Sequence, residues 1–211
     1  MPKIKAVLFD MDGVLIDARE WHYEALNKAL ALFGIEISRF DHLETYDGLP
    51  TKKKLALLSR EKGLPEKLHP FIAEMKQIYT TEYTFSLCKP TFAHQMALSR
   101  LRAEGYRLAV CSNSIRETVR LMMERSDLLG YLEFFLSNED VKLAKPHPEI
   151  YSEAMRRLGV EPQECLIIED NPHGIEAAIA SGGHVMQVRS PQYLIYDRIA
   201  AAIAKAERGL S

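Results

Sequence analysis

The stretch Val7-Leu8-Phe9-Asp10-Met11-Asp12-Gly13-Val14-Leu15 decides how the rest of this chain is read. Ala6 to Phe9 is apolar at every position, the pattern of a strand covered on both faces in a parallel sheet, and the chain turns polar one residue later. Asp10 and Asp12 are two apart, so near a strand end both carboxylates can point to one side. Gly13 supplies a positive φ or room for close backbone approach, which a loop around a phosphate or a metal needs. Taken singly, two acids and a glycine behind a strand are also ordinary turn residues. The choice between the two readings falls to whatever else the chain brings to the same place.

Outward from this stretch, the pattern changes to helix. Trp21, Ala25, Leu26, Ala29, Leu30 and Phe33 recur at three and four, and Gly34 closes the run. A second helix follows Asp47-Gly48-Leu49-Pro50-Thr51, with Leu55 and Leu58 on its apolar face and Gly63 as its stop. A third runs from about Pro65 to Tyr83 through Leu68, Phe71, Ile72, Met75 and Tyr79. Residues 18–86 therefore read as an all-helical block. Beyond it strands and helices alternate: a helix through Ala97, Leu98 and Leu101, a strand at Leu108 to Cys111, a helix at Val119 to Arg125 and a strand at Phe134 to Leu136. A helix at Pro148 to Leu158, a strand at Cys165 to Ile168, a helix from about His173 to Ser181, a strand at His184 to Val188 and an amphipathic helix through Ile195, Ile199 and Ile203 complete the chain.

This alternation predicts an α/β fold, a Rossmann-like parallel sheet with helices on both faces. The helical block is then an insertion after the first strand, giving a core domain of residues 1–17 and 87–211 and a helical cap of residues 18–86. Hydrophobic residues make up 47% and charged residues 27% of the 211, which allows a sizeable core. Basic residues number 27 against 29 acidic ones, so no cationic excess points to nucleic acid or to an anionic membrane as a partner. No apolar run approaches the roughly 18 residues of a membrane span, and the expected location is the cytoplasm. Cys88, Cys111 and Cys165 are odd in number and widely spaced, and read as small buried side chains.

In an open parallel sheet a site lies beyond the carboxyl ends of the strands. That rule gathers Asp10 and Asp12 behind the first strand, Ser112 and Asn113 behind the second, and Glu169 and Asp170 behind a later one. Lys145 joins them from Lys145-Pro146-His147-Pro148, where prolines stiffen the backbone. Crowded carboxylates repel unless a cation or a shared proton compensates. An all-oxygen donor set suits Mg²⁺, and no His/Cys cluster suggests zinc. A carboxylate such as Asp10 can attack phosphorus, while Lys145, the Ser112 hydroxyl and backbone N–H groups hold the phosphoryl oxygens. Asp12 is then free to protonate the leaving oxygen and afterwards to activate water.

Asp10-Met11-Asp12-Gly13-Val14, Ser112-Asn113, Lys145-Pro146 and Glu169-Asp170 with Gly174-Ile175 and Ala177-Ala178 resemble, in order, the four motifs of the haloacid-dehalogenase-like phosphatases. The resemblance is to the branch with a helical cap after the first motif, which includes β-phosphoglucomutase and the phosphoglycolate and sugar-phosphate phosphatases. It implies Asp10 as nucleophile, Asp12 as acid/base, and Mg²⁺ held by Asp10, the Asp12 carbonyl, Asp170 and Glu169. It also implies Ser112 and Lys145 on the phosphate. An Asp at position 12 speaks against cleavage of carbon–halogen and carbon–phosphorus bonds. The mutase branch shares the hinge His22, but it has an Arg where this chain has Thr51, with Lys52 next, and Arg and Lys do not grip phosphate alike. Lys89-Pro90-Thr91-Phe92-Ala93-His94 replaces a usual Pro-Gly turn.

The expected activity is Mg²⁺-dependent hydrolysis of a small phosphorylated metabolite, a sugar phosphate among the candidates, by a monomer or homodimer. A hexose-phosphate mutase and an inactive phosphate- or partner-binding protein are the alternatives. Gly13, Asn113, Ser114, Arg116, His22, Thr51 and Lys52 are the candidate substrate contacts. Against them stand plainer readings: a packed helix histidine for His22, a solvated lysine run at Lys52 to Lys54, and a surface residue for Arg116. Trp21, Tyr23 and Phe33, at helical spacing, read as cap core.

Overall fold

The computed structural model describes residues 3–209. Its sheet has five strands, β1 (Ala6–Phe9), β2 (Arg107–Cys111), β3 (Phe134–Leu136), β4 (Cys165–Glu169) and β5 (His184–Gln187), in the order β3-β2-β1-β4-β5. Every pair is parallel. The first strand in sequence is thus the central one, flanked by β2 and β4, and all four of its residues are buried, as its unbroken apolar run requires.

Between β1 and β2 lies the helical insertion. It contains α1 (Arg19–Ala31), the single turn α2 (Arg39–Asp41), α3 (Thr51–Lys62) and α4 (His69–Leu87), with α5 (Phe92–Ala103) leading into β2. The crossovers that follow are α6 (Arg116–Arg125), α7 (Glu149–Leu158) and α8 (Pro172–Ala180), and the last helix is α9 (Tyr196–Glu207). The chain divides into two compact units, Met1–Asp17 with Lys89–Ser211, and Ala18–Cys88. Residues 1, 2, 210 and 211 of the expected core domain lie outside the described residues.

In the sheet unit, Ala6 and Leu8 pack on one face with Ala109, Cys111, Ile167, Ile150, Tyr151, Ala154 and Ala177, so α7 and α8 cover that side. The strand period of two sends Val7 and Phe9 to the opposite face. There α5 and α9 pack against each other and against the sheet. The three cysteines are buried and unbridged. His94, in the segment that departs from the Pro-Gly pattern, is buried, and its ring Nε2 donates to Pro191 O at 2.9 Å.

In the cap unit the buried cluster is Leu26, Ala29 and Leu30 of α1, Leu55 and Leu58 of α3 and Ile72 of α4, with Ile37, Tyr46 and Leu64 from the segments between them. The expected core set of Trp21, Tyr23 and Phe33 is not in it. Phe33 lies beyond the end of α1 and is 37% exposed, its ring edge-on to Phe71, while Tyr23 uses its hydroxyl to reach Ile37 O at 3.1 Å. The sequence periodicity also missed the wide π-type turn His42–Tyr46 that follows α2. This turn buries His42, with the Tyr23 ring 4.9 Å from its own and Asp47 Oδ1 3.7 Å from Nε2.

Burial, and next the Lys54 ammonium, push the His42 pKa from 6.5 down to about 4, with Asp47 opposing and His22 and Arg19 adding to the fall. The unfolded chain therefore takes up this proton first as pH drops. Cap stability should be complete above about 6.5 and decline as the pH falls towards 4. Melting followed at Trp21, the single tryptophan and a cap residue, measures it. His42→Leu should flatten the slope in that window, and an unchanged slope would assign the titration to another group.

Candidate active site

The strand ends deliver the acids. Asp10 directly follows β1 and its N–H extends the ladder to Ile168 O at 3.0 Å, while Glu169 closes β4 and accepts from Val188 N–H at 2.8 Å. Ser112 follows β2, its N–H on Leu136 O at 3.0 Å. Because β1 is central, residues behind β2 and β4 necessarily flank Asp10. After Asp10 the chain curls on itself: the Leu15 and Ile16 N–H groups both reach Met11 O at 2.9 Å, and Gly13 N–H reaches Ile16 O at 2.7 Å. Met11, Val14 and Leu15 are buried by this curl, which keeps the apolar members of the motif away from the acids.

Lys145 is the hub. Its ammonium donates to Asp10 Oδ1 at 2.6 Å, Glu169 Oε1 at 2.7 Å and Cys111 O at 2.8 Å, so all three protons are used. The side chain is 3% exposed, and the Tyr151 ring lies with its centroid 4.7 Å from Nζ. Asn113 braces the lysine's backbone from both sides, accepting from Lys145 N–H at 3.1 Å and donating to Lys145 O at 3.3 Å. Burial alone would drive the ammonium towards neutrality, but Asp10 and Glu169 more than reverse this and its pKa is raised. Burial also pushes the Asp10 carboxyl well up, opposed by Lys145 and reinforced by Glu169, Asp170 and Asp12.

One ammonium does not balance these acids. Asp10, Glu169 and Asp170 each present a carboxylate oxygen, all within 4.8 Å of one another. Such a donor set fits a hard divalent cation with oxygen ligands. Two glycines make the arrangement sterically feasible. A Cβ on Gly13, whose φ is +87°, would sit 2.0 Å from Asp170 Oδ2, and a Cβ on Gly174 would sit 1.9 Å from Glu169 Oε1. Both distances are far inside van der Waals contact, so the acids occupy the room that these missing side chains leave.

The remaining candidates separate into groups. Asp12 accepts from the Ser114 hydroxyl at 3.0 Å, and the Ser112 hydroxyl, itself buried, accepts from Ser114 N–H at 3.0 Å. Asn113 and Ser114, read as substrate contacts, thus tie Lys145 and Asp12 in place. Arg116 is turned to other work, its guanidinium 2.6 Å from Asp140 and its N–H on Glu139 at 2.6 Å. In the cap unit Lys52 is exposed, Thr51 is half-buried and Lys54 is buried. The lysine run gave no periodic signal to single out Lys54. His22 Nδ1 lies 3.2 Å from Lys76 Nζ. Arg19 pairs with Asp47 at 3.1 Å. Sequence reading also missed Tyr151, whose hydroxyl donates to Glu169 Oε1.

With this geometry stand the relatives. The haloacid dehalogenase-like hydrolase family matches residues 7–188, and the chain belongs to that family. Within it the chain is a phosphoric monoester hydrolase. A phosphorylated carbohydrates phosphatase of Thermotoga maritima is 28% identical over 183 residues, covering 85% of this chain and 82% of the relative. A phosphoglycolate phosphatase of Aquifex aeolicus is 30% identical over 179 residues, covering 85% and 82%. In fold, the chain is similar to β-phosphoglucomutase from Clostridium difficile, with a TM-score of 0.84 over 97% of this chain and 99% of that one at 22% identity. The resemblance drawn from the four motifs holds, and so do the α/β fold and the helical insertion after the first strand.

The cradle makes a direct prediction. Gly174→Ala should displace the Glu169 carboxylate and lower divalent-cation affinity and kcat by roughly 10-fold or more. Ala180→Gly, on the same helix away from Glu169, supplies the control for helix propensity. Equal cation affinity in wild type and Gly174→Ala would remove the close approach as a constraint on the site.

Proposed function

We propose that this chain hydrolyses the phosphomonoester of a small metabolite, a sugar phosphate being the favoured class, through an aspartyl-phosphate on Asp10. The observation that carries the reading is Lys145, whose single buried ammonium joins Asp10 to Glu169 at the edge where Asp12 and Ser112 also arrive. A carboxylate oxygen of Asp10 attacks phosphorus and the bond from phosphorus to the ester oxygen breaks. Protonated Asp12, steadied by Ser114, gives its proton to that oxygen, and the alcohol leaves. Asp12 then takes a proton from water, whose oxygen attacks phosphorus and releases phosphate and the Asp10 carboxylate. Ser112 and the backbone around Gly13 hold the phosphoryl oxygens, and the buried Lys145 charge offsets theirs from its place between Asp10 and Glu169. Mg²⁺ held by Asp10, the Asp12 carbonyl, Asp170 and Glu169 would neutralise phosphoryl and carboxylate charge.

The cap supports an anionic substrate. Lys52, Lys53 and Lys54 fill the first turn of α3 with no acid among them, at the end of a helix that already carries positive partial charge. Lys54, His22 and Arg19 each act electrostatically on His42 there, with Asp47 as the opposing charge. In this reading Lys54 takes the role expected of Lys52, and His22 and Thr51 remain in the contact set. Three buried, unbridged cysteines suit the reducing cytoplasm, where we place the enzyme. No helix among the described residues is long and apolar enough to cross a membrane.

A mixed panel of phosphate esters at neutral pH, with and without Mg²⁺, tests the activity. Free phosphate released only with Mg²⁺ is expected; isomer formation dependent on a bisphosphate primer would replace hydrolysis by mutase chemistry, and silence throughout would leave only binding. Asp10→Asn should abolish turnover while the fold persists, as judged by melting. Asp12→Ala should cost about 10²- to 10⁴-fold in kcat on alkyl esters and much less on nitrophenyl phosphate. Equal losses on both esters would remove Asp12 as the proton donor.

A further inference from the structure

Tyr151 is the third residue of α7 and is fully buried among Ile150, Ala154, Met155 and Cys111. A phenylalanine would fill this apolar volume equally well. A buried hydroxyl costs free energy unless it is hydrogen-bonded. This one donates to Glu169 Oε1, the same oxygen that accepts from Lys145 Nζ at 2.7 Å. A phenol keeps its proton at neutral pH, and a carboxylate oxygen can only accept it.

Glu169 is confined on every side that the structure defines. Two donors meet at Oε1, the Asp170 N–H reaches Oε2 at 3.2 Å, and the bare Cα of Gly174 forms the wall behind it. Lys145 cannot supply the missing restraint if Tyr151 is removed, because its three protons are already committed. Without the hydroxyl, Oε1 would keep only the Lys145 ammonium and Oε2 only the longer Asp170 N–H contact at 3.2 Å, and the carboxylate could turn about those two.

We propose that Tyr151 is a positioning residue for the cation site: its hydroxyl pins one oxygen of Glu169 on Lys145 and so leaves the other for the cation shared with Asp10 and Asp170. The ring adds a second restraint by seating the same ammonium. This inference rests on the reading of Asp10, Glu169 and Asp170 as the cation site. A loss of orientation in a group behind the metal ligands typically costs about 10- to 100-fold in metal affinity or activity.

The test is Mn²⁺ binding to the full chain, followed by the loss of the free-ion paramagnetic resonance signal, in wild type, Asp170→Asn, Tyr151→Phe, Glu169→Gln and the Tyr151→Phe/Glu169→Gln pair. Tyr151→Phe is expected to raise the Mn²⁺ Kd about 10-fold and lower kcat, with KM for the ester within about twofold of wild type. In the double variant the effect should not exceed that of Glu169→Gln alone, since the hydroxyl acts through that carboxylate. Wild-type Kd and kcat in Tyr151→Phe, or losses that multiply in the double variant, would overturn the proposal, as would a Tyr151→Phe chain that fails to fold. Absence of saturable Mn²⁺ binding in wild type, or binding untouched by Asp170→Asn, would instead overturn the cation site itself.

Discussion

The Lys145 ammonium, buried and shared between Asp10 and Glu169, is the contact on which the site depends. Removing an ammonium and two carboxylates from water costs several kcal/mol per ion, and the expense is recovered only when every proton and lone pair finds a partner. Here the third ammonium proton goes to Cys111 O, Asn113 clamps the lysine backbone, and Tyr151 completes Glu169. The central position of β1 then makes the geometry unavoidable, since its neighbours β2 and β4 must end on either side of Asp10. Asp170 adds a third carboxylate to the same few ångströms. The surplus of negative charge is of the kind that a hard cation with oxygen ligands offsets.

Most of this fold is legible in the sequence because burial on two faces leaves a signature. The apolar runs before Asp10 and at Cys165 to Ile168, each broken abruptly by acids, mark strands that end in a polar mouth. The acids and Lys145 could be placed by the rule that a parallel sheet puts its ligands at the carboxyl edge. Periodicity was less informative where side chains serve two masters. Trp21, Tyr23 and Phe33 share a helical spacing, yet the buried stripe of α1 is Ala25, Leu26, Ala29 and Leu30. Tyr151 sits in an ordinary apolar stripe, and nothing in its spacing tells that its hydroxyl meets Glu169. Gly174 lies inside a helix, where only the three-dimensional approach of Glu169 explains the missing side chain.

The cap unit follows a different logic. Its core is a plain apolar cluster, but the turn His42–Tyr46 and the start of α3 collect cations around Asp47. A neutral His42 beside a buried Lys54 is the response of the fold to too much positive charge in too little water. Charge is thus segregated locally, negative at the strand ends and positive around His42 and the first turn of α3. The four motifs that mark the family all lie in the first unit.

The central claim is that Asp10 becomes phosphorylated, and it is tested most directly by trapping. The enzyme is mixed with excess phosphate ester and Mg²⁺, quenched in acid within the first turnover, and mapped by peptide mass spectrometry. A phosphoryl group on the peptide containing Asp10, lost on treatment with hydroxylamine as an acyl phosphate is, is the result predicted. Turnover with that peptide unmodified, or with the phosphoryl group on another residue, would contradict the account.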